Sequence, residues 1–392
     1  MRVAVVVVVA VAATVTVTVA VAATAGRKPF AWAAVAMRSV LGAARHGVGF
    51  VSALLGLAVA GCPSPETEPP PDPGPPAWRV VLDETDLDRA VLSVWGTGPN
   101  EVFIAGGPLG NTGLETLALR FDGSAWHDLH PGGEETFWWV NGSGPNDVWM
   151  VGEKGRIARW DGASWKSHAS GTTATLWGVW AFSPTDAWAV GGTPEGGVGA
   201  PNDLVLRWDG SAWTPEALPG EPLGRSLYKI WGTSSENLYV VGEYGTIWHR
   251  TAGGWALESD PPLATGTLLT VFGCSAAEVY AVGGKDLLRS DGAAWTRLDV
   301  QLFNGVNGVA CGAPGEVAVV GFGGLKQRLV NGSWVDEFAV EPYGDMHAVW
   351  ADGAGAFWAV GGDFVSKPAP GMPRRGLVAR FGEGQVASSI GP

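Results

Sequence analysis

One phrase recurs along this chain and governs what it can fold into. It reads Arg120-Phe121-Asp122-Gly123-Ser124-Ala125-Trp126, and returns at Arg159–Trp165, Arg207–Trp213 and Arg289–Trp295. Shorter variants reach Trp255 through Gly253-Gly254 and Trp334 through Asn331-Gly332. Asp-Gly between apolar runs signals a β-hairpin, because the pair accepts the positive φ angles of a tight primed turn. A hairpin used this often marks one supersecondary unit repeated along the chain.

The unit can be written out from Trp78 onward. Each copy opens with an apolar strand ending in Val-Trp-Gly or a variant, followed by a Gly/Pro/Ser/Asn turn. A second strand closes on glycine, a third ends at the recurring arginine phrase, and a fourth starts at its tryptophan. The closing glycines are Gly106, Gly152, Gly191, Gly242, Gly283, Gly321 and Gly361, spaced 38 to 51 residues apart. That is the period of a four-stranded propeller blade. In every copy the end of the first strand lies eight residues before a marker in the second: Trp95 and Phe103, Asn141 and Trp149, Trp180 and Trp188, Trp231 and Tyr239, Phe272 and Tyr280, Ala310 and Ala318, Trp350 and Trp358. Just ahead of the first member stand Val94, Val140, Val179, Ile230, Val271, Val309 and Val349, a β-branched column suited to packing between blades.

The fourth-strand tryptophan appears six times, while the seventh copy stops near Phe381 without one. Trp78-Arg79-Val80-Val81 is an orphan fourth strand at the other end. The expected fold is therefore all-β: a seven-bladed β-propeller of four-stranded blades, closed by the N-terminal strand in the last blade. Such closure removes sheet edges that would otherwise aggregate. Over residues 78–381 the repeat resembles those of bacterial propellers of the Asp-box (neuraminidase-repeat) and kelch-like kind. Asp209-Gly210-Ser211-Ala212-Trp213 is one residue shorter than an Asp-box, so the resemblance implies the fold and transfers no catalytic residue.

Ahead of the repeats the chain carries an address. Residues 1–61 hold five basic residues and no acidic one, so of the 25 basic and 38 acidic residues, 20 and 38 fall later, a net charge of −18 there. A body that acidic is repelled by nucleic acid and by anionic lipid surfaces. Arg38 and Arg45 followed by the apolar run Val48–Ala60 and by Val59-Ala60-Gly61-Cys62 have the order of an export signal. The last four residues resemble the lipobox of bacterial lipoproteins, which implies cleavage before Cys62 and acylation of its thiol; a plain signal peptide is the alternative. Val3–Ala25 is uncharged and long enough to span a bilayer. Either Met37 is the true start and residues 1–36 are a misassigned extension, or the segment is an intact anchor. Residues 62–77 hold Cys62 and a proline-rich stretch that forms neither helix nor inner strand and reads as a semi-rigid linker. Residues 78–392 are the propeller domain.

The chemistry-bearing residues are sparse. The arginines ahead of the hairpins (Arg120, Arg159, Arg207, Arg289, Arg328, Arg380) are distributed around the ring and suit stacking on aromatic faces, not convergence on one carboxylate as in a sialidase. Most tryptophans fall in repeat columns and belong to blade cores; Trp138, Trp139, Trp177 and Trp248 do not. His127-x-x-His130 lacks a third ligand at a metal-site spacing. No cofactor motif is present. Cys274 and Cys311 lie on the same face of adjacent blades, placed for an inter-blade disulfide in an oxidising compartment or for two buried thiols.

Loop length gives the one map of function. The connections from second to third strand are long in blades one, three and seven, and all leave the same face. Because loops on rigid scaffolds carry binding, residues 107–117, 192–203 and 362–376 are the expected binding face. Their candidate contacts are Asn111, Glu115, Glu195, Asn202, Asp203, Asp363, Lys367, Arg374 and Arg375, the two arginines forming a basic spot. The expected function is an exported, lipid-anchored cell-envelope propeller, a monomer that binds a protein or glycan ligand. The alternative is a glycan hydrolase or lyase on the same fold, which needs paired carboxylates at the channel mouth.

Overall fold

The structure is a computed structural model that describes residues 5–8, 18–21, 74–83, 85–110, 113–259, 262–365 and 372–391. Met37, the Val48–Ala60 run, Cys62, most of the proline-rich linker, Asn111 and Lys367 lie outside the described residues. The chain divides into two units, residues 1–69 and 70–392. In the first, the described residues are one antiparallel pair, Val5–Val8 with Thr18–Val21. Among the described residues no helix is long and apolar enough to cross a membrane.

The second unit is a ring of seven blades, each of four antiparallel strands. The innermost strands are Ala90–Gly98, Phe137–Gly144, Thr175–Ser183, Leu227–Ser234, Thr270–Ser275, Val306–Ala313 and Met346–Ala351. The register read from the sequence is the register of the sheets. All seven pairs from Trp95–Phe103 to Trp350–Trp358 are direct cross-strand partners. The β-branched column is buried throughout, with no member more than 5% exposed. Ala77–Leu82 pairs with Gly376–Gly382 and completes blade seven, as the orphan strand required.

The Val-Trp-Gly phrase has a steric cause. A Cβ on Gly273 would sit 2.3 Å from the Trp231 ring of blade four, and one on Gly142 would sit 2.8 Å from the Trp95 ring of blade one. The tryptophan of one blade therefore lies across the glycine of the next, and only glycine leaves the ring room. Polar staples follow the same path. The Ser93 hydroxyl accepts the Val140 amide, Asn141 Oδ1 accepts the Ala181 amide, and Trp180 Nε1 donates to the Gly232 carbonyl. Each satisfies a buried polar group across a blade boundary, where leaving it unpaired would cost about 1–3 kcal/mol. Blades five and six are joined covalently by Cys274–Cys311, with a Cα–Cα distance of 5.2 Å.

Two local features differ from the sequence reading. At the Asp-Gly phrases only the glycine has positive φ, +92° at Gly123 and +96° at Gly210. The chain reverses over four residues, because the aspartate carboxylate accepts the amides two and three positions on, Ser124 and Ala125 in blade one. This side-chain turn replaces the two-residue primed turn. Asn331-Gly332 does form the primed turn, with φ of +51° and +78° between the paired Val330 and Ser333. The second feature lies past the last repeat. Ile390–Gly391 adds to blade one as a fifth strand, parallel to Trp126–Asp128, and Trp126 Nε1 donates to the Ala387 carbonyl at 3.1 Å. That segment covers the outer edge of blade one.

Candidate functional site

The inner strands also carry a column two residues before the β-branched one: Leu92, Trp138, Trp177, Tyr228, Leu269, Asn307 and His347. It sits where each chain enters its blade, at the rim carrying the connections from second to third strands. Trp138, Trp177, Tyr228, Leu269, Asn307 and His347 line a cavity of about 210 Å³ at the channel mouth. Lys229 joins them, with Phe322 and Phe364 from the connections of blades six and seven.

The aromatic rings of this cup touch in sequence. Tyr228 and Trp177 centroids are 5.5 Å apart, Trp177 and Trp138 4.7 Å, Trp138 and His347 5.7 Å, His347 and Phe364 5.1 Å, and Phe364 and Phe322 5.9 Å. Contact between rings at these separations stabilises each in place. Backbone acceptors fix the polar ends: Trp177 Nε1 donates to the Gly192 carbonyl, and His347 Nδ1 donates to the Leu92 carbonyl of blade one. The second bond requires the proton on Nδ1 and leaves Nε2 an acceptor.

Two basic groups and no carboxylate line the cup among the described residues. Lys229 is only 3% exposed. Its ammonium donates to the Trp177 carbonyl at 2.7 Å and lies 4.3 Å from the Trp139 ring centroid. Burial pulls its ionisation down to about 7. Burial, with the charge of Lys229 opposite, pushes His347 down to about 3, so its ring is neutral at physiological pH. Tyr228 is pushed up to about 12, by burial first and then by the charges of Glu243 and Glu195.

The loop residues singled out in the sequence surround the same face, and the structure gives them internal work. Asn202 accepts the Thr193 amide and donates to the carbonyls of Gly197 and Gly224. Asp203 accepts the Gly224 amide. Glu195 lies at φ +57° with its amide bonded to Glu243. Glu115 accepts the Gly132 amide and pairs with His130, while His127 pairs with Asp122. Among the described residues no group of three potential ligands could hold a metal ion. The basic spot needs correction. Arg374 is 4% exposed and braces the blade-seven loop against blade one, donating to the carbonyls of Asp363 and Leu109. Arg375 pairs with Asp363 at 3.4 Å. A guanidinium with carbonyls within reach is drawn inward, since it buries its charge against acceptors already in place.

The remaining arginines and tryptophans sort as structure. Arg159 stacks over Trp149 at 4.7 Å, Arg207 over Trp188 at 5.2 Å, Arg328 over Phe381 at 3.5 Å and Arg380 over Trp358 at 5.8 Å, while Arg120 pairs with Glu101. Trp248 is core. Trp138 and Trp177 belong to the cup, which periodicity could not reveal.

No family model and no curated protein matches this chain. Solved structures do. YCF48 bound to D1 peptide aligns with a TM-score of 0.58 at 14% identity, covering 79% of this chain and 97% of that one. YCF48 from Cyanidioschyzon merolae aligns at 0.57 and 15%, covering 78% and 98%. The RRP9 WD40 repeats align at 0.60 and 12%, covering 79% and 99%. The chain is a seven-bladed β-propeller. At these identities the likeness carries the fold alone, and function has to be argued from the site.

Proposed function

We propose that this chain is a lipid-anchored propeller of the bacterial cell envelope that binds a peptide segment of a protein partner in the aromatic cup at its channel mouth. The observation that carries the binding reading is the cup itself: contiguous, partly exposed aromatic rings on a stapled ring, opening among the longest loops. Buried tryptophan and tyrosine dominate the energetics of protein recognition. The structural neighbour solved with a peptide is consistent with that use of the fold. The anchor reading rests on Val59-Ala60-Gly61-Cys62 and the proline-rich stretch after it, and the Cys274–Cys311 disulfide suits an oxidising compartment. The Asp-box or kelch-like kinship rests on the repeated Asp-Gly phrase. The glycan reading keeps one specific support, since exposed tryptophans also stack on sugar rings.

The test is selection of a random peptide library on the full-length protein, with the double variant W138A/W177A as comparison and an oligosaccharide panel alongside. Enriched peptides should bind the variant at least about 30-fold more weakly, the effect of losing a hot spot worth about 2 kcal/mol. Binding of oligosaccharides alone, or peptides indifferent to both substitutions, would overturn the reading. For the anchor, the intact mass of protein extracted from its native membrane should equal residues 62–392 plus acyl groups. An unacylated chain retaining Val3–Ala25 would replace the tether with a membrane anchor.

A further inference from the structure

Lys229 is a buried cation without an anion. Its ammonium has three donors and one hydrogen-bond acceptor among the described residues, the Trp177 carbonyl. The groups facing it are His347 across the cup, Tyr228 on its own strand and the Trp139 ring, none of them acidic. Glu243 and Glu195 lie toward Tyr228, and the Glu243 carboxylate is already taken by the amides of Ser226 and Glu195. Asn307, 5% exposed, also lines the cup, and its side-chain amide makes no hydrogen bond among the described residues. Buried charges are ordinarily paired, so a cation and an amide in an aromatic cup favour a ligand that is apolar at one end and anionic at the other.

We infer that the cup receives the C-terminus of a polypeptide that ends in an apolar residue, the last side chain lying among Trp138, Trp177, Tyr228 and Phe364 and the terminal carboxylate meeting Lys229 and Asn307. The inference rests on the peptide-binding reading above and narrows it. Three observations select this occupant. At about 210 Å³ the cup is smaller than the roughly 300–1,000 Å³ of sites for drug-sized ligands, so it admits one side chain and not a folded element. A C-terminal residue carries an apolar group and a carboxylate on one Cα, which a mid-chain residue does not. A free amino acid would bring an ammonium as well, and the lining offers no carboxylate to receive it. The acidic body, −18 beyond residue 61, repels polyanions but tolerates a single charge neutralised inside.

The experiment uses full-length protein and two fluorescein-labelled peptides of glycine and serine ending in phenylalanine, one with a free carboxylate and one as the C-terminal amide. At pH 6.5 the acid should bind at least 10-fold more tightly than the amide. Lys229→Met should lower the acid's affinity to that of the amide and leave the amide unchanged. Calorimetry of the wild type at pH 8 in two buffers of different ionisation heat supplies a second readout. Lys229, held near 7 by burial, should take up close to one proton per acid peptide bound and none with the amide. His347 stays neutral at this pH because burial holds it near 3. Equal affinity for acid and amide, a preference that survives Lys229→Met, absence of proton uptake, or binding of neither peptide would each overturn the inference. If library peptides still require Trp138 and Trp177, the broader reading stands while this one falls.

Discussion

Deleting residues 77–82 should abolish cooperative folding, and Trp78→Ala alone should cost about 3–5 kcal/mol, the range for removing a buried aromatic side chain. Trp78 is 7% exposed and meets Phe381 edge to face at 5.7 Å. Its Nε1 donates to Glu337 at 2.6 Å, so the closing strand is tied to blade six as well as to blade seven. Arg328 pairs with the same Glu337 and stacks on Phe381. Without the strand, Gly376–Gly382 becomes an open edge over an apolar core, the arrangement that recruits other chains. Trp78→Phe separates the contributions. It keeps a ring on Phe381 while removing the indole donor and part of the ring volume, so it should cost at least about 1.5–3 kcal/mol, the worth of a hydrogen bond to a charged group, and less than the alanine variant. Urea denaturation of the three proteins measures the effect. A Trp78→Ala variant within 1 kcal/mol of wild type would mean that the ring is closed by something other than this strand.

The second large effect runs the other way: Lys229→Met should make the protein more stable. The group ionises near 7 in the folded state and at an ordinary 10.5 when unfolded. Below pH 7 both states bind the proton and the fold carries the whole cost of the buried charge. As pH rises from 7 towards 10.5 the folded state sheds the proton first, and the cost fades. Replacing such a group by an apolar one of similar volume is commonly stabilising by about 1–4 kcal/mol. The gain should be full at pH 6 and close to nothing near pH 10, where the lost hydrogen bond to Trp177 remains. Guanidinium titrations of both proteins at pH 6, 8 and 10 test this. A variant less stable than wild type, or a gap independent of pH, would contradict the account. A residue that weakens the fold at neutral pH is the kind kept for binding, and a stabilised variant that no longer recognises the acid peptide cannot owe that loss to unfolding.

The architecture was legible because its determinants repeat. A β-branched residue between blades and an eight-residue spacing each answer a constraint met seven times, and a tryptophan ends the first strand in four of the seven blades. The cup was not legible for the complementary reason. Trp138, Trp177, Tyr228, Leu269, Asn307 and His347 share a column with the buried Leu92 but line the channel mouth, where no neighbouring blade dictates shape, so their chemistry varies freely. The signal available was that variation at a fixed offset from the Val94–Val349 column. The polar loop residues carry internal work that the sequence does not show, since Asn202, Asp203 and Arg374 satisfy loop backbone. The Asp-Gly turns were misread because aspartate supplies its own acceptor, and the covering segment near Ile390 because it belongs to no repeat.

The pairing of Trp78 with Phe381 also dictates when this protein can become stable. The two strands lie some 300 residues apart in sequence, with Arg79 bonded to the Gly382 carbonyl across 303 positions, and contacts of that separation form late and slowly. Each of the first six blades can assemble from neighbouring residues as it is made. The circle itself waits for the hairpin of blade seven to find the first strand of the ring, and until then an unpaired edge of blade seven stands open to intermolecular pairing. Its vulnerability is therefore kinetic, concentrated in the interval between synthesis and closure, and a chaperone that shields one short strand would be enough to protect the whole molecule.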